Sequence, residues 1–146
     1  MKKYPLLWLV PLLALVPVSM FAVERTLVIK APASVPAHSG VHVEVTATTN
    51  AGDAEQIGFF QAEYSVDGGK NWVPVYAEKL GASAKRGVDF TAGAAGVPAL
   101  VRVRIAFRGG KAGDVDFTGK PIAWGGSWGT WENPPAKQVS IPVKAP

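Results

Sequence analysis

The chain has no cysteine and, among its 146 residues, only two histidines and two methionines. Without thiols there is no disulfide framework, no thiolate metal site and no cysteine-borne lipid anchor. Both histidines, His38 and His42, fall in one short N-terminal segment, which gives a Ser-His-Asp arrangement little to draw on. No phosphate-cradling glycine loop and no dinucleotide fingerprint is present, and nothing singles out a pair of carboxylates for glycoside cleavage. After residue 22 there is no apolar stripe of helical period and helical length. The sequence therefore predicts a non-enzymatic protein without cofactors and without α-helical architecture.

What the chain does have begins with an address. Lys2 and Lys3 precede an apolar run from Leu6 to Val18, and Ser19-Met20-Phe21-Ala22 follows. A basic start, an apolar stretch of secretory length and a small residue at its end predict a signal peptide over residues 1–22, cut after Ala22 or after Ser19. The competing reading is an uncleaved anchor, but Pro5–Val23 is near the lower limit for a membrane span and carries Pro5, Pro11 and Pro17. The expected location is periplasmic or secreted, with the membrane involved only through the export signal. Removing that signal leaves residues 23–146 as a single domain, a size at which a hydrophobic core suffices without disulfides. Loss of Lys2 and Lys3 also lowers the formal charge from +4 to +2, 13 basic against 11 acidic residues. No nucleic-acid partner is expected at that balance.

Alternation organises the rest. Arg25 to Lys30 reads as a short strand, followed by a proline-punctuated connection over residues 31–37. Val41, Val43, Val45 and Ala47 alternate with His42, Glu44, Thr46 and Thr48 in a half-buried strand. Phe60, Ala62, Tyr64 and Val66 alternate with Phe59, Gln61, Glu63 and Ser65, and Trp72 to Tyr76 is the returning strand, with Pro74 confined to an edge or a bulge. Residues 77–86 read as a polar connection and Val88 to Ala92 as a short strand. Over residues 100–108, Val101, Val103, Ile105 and Phe107 face one way and Arg102, Arg104 and Arg108 the other. A last strand spans Val139 to Lys144. About seven such strands predict an all-β, immunoglobulin-like (fibronectin III-like) two-sheet β-sandwich. In a fibronectin-like order, the strand at 57–66 lies beside the one at 100–108, so Glu63 should reach Arg102 or Arg104.

The turn of the central hairpin is Ser65-Val66-Asp67-Gly68-Gly69-Lys70-Asn71-Trp72. The spacing of Ser65, Asp67, Gly69 and Trp72 suits a turn in which a short acceptor side chain replaces missing backbone partners and glycine takes a left-handed conformation. The run resembles the Asp-box of sialidase propellers and of several β-sandwiches. It is similar, too, to the hairpin of the sandwich dimerisation domain in molybdenum-cofactor oxidoreductases. The resemblance spans about a dozen residues and the single copy argues against a propeller. It implies a sandwich module, with a homodimer open, and implies no activity.

Between Phe117 and Pro135 the alternation breaks, and three of the five Trp residues, Trp124, Trp128 and Trp131, crowd together with four glycines. This Trp/Gly-rich insertion falls between the last two core strands, where a sandwich displays a loop. Trp faces stack on sugar rings and dock into protein grooves, so Trp124, Trp128 and Trp131 are the candidate ligand-binding residues for a protein or glycan partner. The plainer account folds these rings onto an open end of the sandwich. An alternative function is a periplasmic metal or redox accessory protein using His38 and His42, for which no third ligand is apparent. Asp114 and Asp116, with Asp67 or Asp53, suggest Ca²⁺ only weakly against their reading as solvated carboxylates. The row Arg102, Arg104 and Arg108 reads either as an anion-binding face or, more plainly, as a salt-bridged one.

Overall fold

A computed structural model describes residues 21–125 and 127–146, without the side chains of Ser127 and Trp128. The export signal expected over residues 1–22 thus lies almost wholly outside the described residues. The described chain is all-β, with no α-helix. Its strands are β1 (Arg25–Lys30), β2 (Val35–Pro36), β3 (Gly40–Thr49), β4 (Gln56–Ser65), β5 (Val73–Glu78), β6 (Ser83–Thr91), β7 (Ala99–Arg108), β8 (Lys137–Ile141) and β9 (Val143–Lys144), with one 3₁₀ turn at Ser127–Thr130. They form a three-stranded sheet ordered β1-β3-β6, a four-stranded sheet ordered β5-β4-β7-β8, and a short β2-β9 pair.

Period-two alternation explains why these sheets share one core. On β3, Val41, Val43, Val45 and Ala47 are buried; on β7, Val101, Val103, Ile105 and Phe107 are buried; and all belong to a single apolar cluster with Leu27, Phe60, Ala62, Val88 and Ile141. Inner faces of both larger sheets supply that cluster, which makes the arrangement sandwich-like. Tyr64 of β4 stacks on Phe90 of β6 across the layers, with ring centroids 4.7 Å apart.

Register on β4 and β7 follows from the same alternation. The two strands are antiparallel, with Glu63 opposite Arg102 and Gln61 opposite Arg104, so the expected Glu63–arginine pairing is present. Pro74 sits on β5, the edge of its sheet, where its missing N–H interrupts no ladder.

Three details differ from the sequence reading. Residues 83–86, expected in a connection, belong with Gly87 to β6, because they pair with Val45 to Thr48 of β3. They show no alternation because most of them are exposed on an edge strand. Val35–Pro36, inside the expected connection, pairs in parallel with Val143–Lys144. The last strand starts earlier and divides at Pro142: β8 pairs with β7, then β9 pairs with β2. A proline cannot continue a ladder through its own nitrogen, but its carbonyl accepts a bond from Val35 N at 3.0 Å.

One end of the molecule is tied by ions. Arg25 opens β1 opposite Thr49, and its Nε and Nη2 donate to Glu55 Oε1 and Oε2 at 2.8 and 2.7 Å. Thr49 Oγ1 donates to the same carboxylate at 2.6 Å. The Glu55 side chain is 1% exposed; its bond from Arg25, helped by Thr49, holds the carboxyl below the usual glutamate range against the opposing effect of burial. Removing one member of a buried pair strands the other charge. Arg25→Ala should therefore lower unfolding free energy by about 3 kcal/mol, measured by urea denaturation. A loss below about 0.5 kcal/mol, the usual range of an exposed pair, would contradict the buried geometry.

Candidate functional site

The outward positions of the four-stranded sheet carry most of its polar and aromatic chemistry. Alternation sends Phe59, Gln61 and Glu63 out from β4, Arg102 and Arg104 out from β7, and Pro74, Tyr76 and Glu78 out from β5 opposite them. A register shift between Ile57 and Phe59 marks a bulge at Gly58. There the stem of Arg108 crosses so closely that a Cβ on residue 58 would meet its Cβ and Cδ at 2.7 Å, so the crossing requires glycine.

The segment from Phe117 to Pro135 doubles back over this face. Its Trp131, which has a left-handed φ of 62°, is half-buried, with the Arg102 and Arg104 guanidinium carbons 4.0 and 4.1 Å from its ring centre. On another side, Arg102 lies 3.9 Å from the ring centre of Trp72. One guanidinium thus engages an indole of the hairpin turn and an indole of the loop. Such contacts gain most where water is excluded.

Hydrogen bonds lock the stack. Arg102 Nε and Nη2 donate to Glu63 Oε2 at 3.0 and 2.6 Å. Arg104 Nε donates to Gln61 Oε1 at 2.8 Å, and Gln61 Nε2 donates to Tyr76 Oη at 3.0 Å. Arg104 is 1% exposed. Burial pulls its pKa below the usual guanidinium value, the nearby Glu63 charge opposes that, and Arg102 adds to it. Farther along β4, Trp124 meets Phe59 edge to face at 5.9 Å and lies beside Arg108, while its Nε1 donates to Asp114 Oδ2 at 2.7 Å.

The hairpin turn supplies Trp72. Asp67 Oδ1 accepts from Lys70 N and Asn71 N at 3.0 and 2.9 Å, and Asp67 Oδ2 accepts from Asn71 Nδ2 at 2.6 Å. Ser65 Oγ accepts from Gly69 N at 2.8 Å and donates to Asp67 Oδ1 at 2.7 Å. Gly69 has φ 92°, in the left-handed half of the map, and its carbonyl accepts from Trp72 Nε1 at 3.0 Å. Ser65, Asp67, Gly69 and Trp72 are thus bonded to one another within the turn, and the turn aims the indole back at β7.

The candidate ligand-binding rings divide. Trp131 is committed to the arginines, Trp124 is 37% exposed, and the Trp128 side chain lies outside the described residues. His42 Nδ1 sits 2.6 Å from Asp89 Oδ1 on the opposite sheet, and His38 occupies the turn before β3 with φ 58°. Among the described residues, no three His, Cys, Asp or Glu side chains gather as metal ligands would. The suggested carboxylates disperse as well: Asp114 holds Arg108 and Trp124, Asp116 Oδ1 accepts from Thr118 and Lys120 in its own turn, and Asp53 accepts from Lys111 N. Sequence reasoning missed Tyr76, which is 59% exposed. Its alternation with Val75 and Ala77 was visible, but its neighbours on β4 depend on the register.

No family model matches the chain, and no curated protein matches it. Among solved structures there is a likeness to Spo0M, a sporulation control protein of Bacillus subtilis, at 13% identity and a TM-score of 0.40. It covers 87% of this chain, which spans about half, 51%, of that one. So distant a likeness carries nothing about fold family or function.

The turn makes a pH test. Bonds from Asn71, first from its backbone and then its side chain, with Ser65, lower the Asp67 carboxyl from 3.8 to about 2. A carboxyl depressed on folding adds stability that is complete above its unfolded pKa and disappears as pH falls through the folded one. Asp67→Asn should therefore be less stable than wild type at pH 7, and the gap should narrow between pH 3.8 and about 2. Thermal unfolding midpoints across that range check it; a gap independent of pH would contradict the bonding described.

Proposed function

We propose that this chain is an exported, non-enzymatic binding or assembly module, built as an immunoglobulin-like (fibronectin III-like) sandwich, and that it recognises its partner through the outer face of the four-stranded sheet. What supports the sandwich reading is the pairing of β1-β3-β6 and β5-β4-β7-β8 around one core, together with the hairpin that resembles an Asp-box. What supports export is the basic and then apolar start at Lys2 to Val18.

The observation that carries the binding reading is the exposure of Tyr76 and Trp124, at 59% and 37%, on a face whose other large groups are fixed. Rings that keep solvent exposure on a rigid, hydrogen-bonded sheet present area for contact at little entropic cost. Four of the charged groups there are engaged in pairs: Glu63 with Arg102 and Asp114 with Arg108. That supports a surface that holds rather than reacts, since catalytic groups are arranged around a reacting atom.

Two measurements on the exported protein test this reading: binding to an array of polysaccharides, and sedimentation over a range of concentrations. We expect binding to a glycan or to a second copy, and its loss in the Tyr76→Ala/Trp124→Ala double variant with an unchanged circular dichroism spectrum. Binding that survives in that variant, or neither glycan binding nor self-association in wild type, would overturn the proposal.

A further inference from the structure

Beside the exposed rings the outer face has a concavity. It encloses about 270 Å³ and is lined by Gln56, Gly58, Glu78, Lys79, Arg108 and Gly109. It exists because of the bulge. The Arg108 stem lies directly against Gly58, where a Cβ would meet it at 2.7 Å, so the hollow opens beside that crossing, and Lys79, with φ 54°, turns the chain away at the end of β5. Glu78 is opposite Phe59 in the β4-β5 register, and Tyr76 is opposite Gln61, the next outward position along the strand. Outward neighbours on one strand are about 7 Å apart. Hollow, Phe59 with Trp124 against it, and Tyr76 thus follow one another along a single line of the sheet.

We infer that this line is a binding site for a neutral oligosaccharide, with Tyr76 as its stacking ring and the hollow beside Gly58 as the pocket for one sugar unit. The inference rests on the binding-module reading above and names its ligand class.

Three features carry it. First, a pyranose has an apolar face of C–H groups and a rim of hydroxyls that both donate and accept; it needs an aromatic face and a mixed polar wall together. Tyr76 offers the first. The hollow offers the second, with Gln56 donating and accepting, Glu78 accepting, and Lys79 donating. Second, the rings are already oriented. Tyr76 Oη is held by Gln61 Nε2 at 3.0 Å and Trp124 Nε1 by Asp114 at 2.7 Å, so little freedom remains to be lost on binding. Third, the charges near the hollow balance. Glu78 stands beside Lys79, and Arg108 is paired with Asp114 at 3.1 Å. A polyanion would find no surplus of positive charge there, whereas a neutral chain of hydroxyls meets both donors and acceptors.

The test is a titration of the ¹⁵N-labelled exported protein with cellohexaose, maltohexaose, mannohexaose and chitohexaose, one at a time. At least one should shift the amides of Gly58, Phe59, Glu78, Lys79 and Gly109. Tyr76→Phe, which keeps the ring but loses its bond from Gln61, should weaken binding less than about threefold, and Tyr76→Ala should weaken it about tenfold or more, the loss expected of a central aromatic contact. Tyr76→Leu, which keeps apolar bulk without a ring, serves if the alanine variant does not fold, and should weaken binding to a similar degree. Sugar binding that shifts amides elsewhere on the outer face, or that is unchanged in both Tyr76→Ala and Tyr76→Leu, would overturn this site and leave the binding-module reading standing; shifts confined to the three-stranded sheet would overturn both. No response to any of the four sugars, in a protein that does self-associate, would overturn the oligosaccharide inference alone. No response and no self-association would overturn both.

Discussion

Arg102 is the side chain on which the outer face depends. It is donated by the middle of β7, paired to Glu63 of β4, and contacted by Trp72 from the hairpin turn and Trp131 from the long loop. Three stretches distant in sequence, the β4 hairpin, β7 and the long loop, meet at one guanidinium. Lysine would not serve, because only a planar cation both stacks on indoles and donates from its edge. The residue is partly exposed, so the ion pair alone would be worth little; its enclosure by the two indoles keeps water from the contacts.

Several features follow from that placement. The loop does not project as a free arm but returns to its own sheet, and Arg104 is sealed beneath Trp131 at the cost of burying a charge. That cost is met by Gln61 and by the nearby Glu63. Gln61 in turn holds Tyr76, so the internal stack fixes the position of an exposed ring. The conformational order needed for recognition is therefore produced inside the face, before any partner arrives. The hairpin contributes in the same way: Asp67 and Ser65 spend their hydrogen bonds on the turn that points Trp72 inward.

Much of the scaffold was legible from alternation. Val41 to Ala47 and Val101 to Phe107 announced strands and their buried faces, and the Asp67-Gly68-Gly69 turn announced the hairpin. Glu63 near Arg102 or Arg104 followed from pairing the strands at 57–66 and 100–108, and the register places it opposite Arg102. Residues 83–86 were not legible, because an edge strand with mostly exposed side chains leaves no hydrophobic period. Nor was the short β2-β9 pair: Pro36 read as part of a proline-punctuated connection, and Pro142 lay inside a last strand expected to be continuous. The candidate site was half legible: the sequence marked Trp124 and Trp131 as unusual, but where their rings rest depends on which arginines the sheet places under the loop. Tyr76 and the hollow at Gly58 arise from register and from a bulge, and neither leaves a local signal.

Arg102 and Trp131 hold the loop on the sheet as one energetic unit. A double-mutant cycle with Arg102→Ala and Trp131→Ala, read by urea denaturation, measures this most directly. The expected coupling is about 1 kcal/mol or more, as for a partly desolvated cation on an indole. Additive losses, with coupling below about 0.3 kcal/mol, would mean that loop and sheet are stabilised independently, and would contradict it.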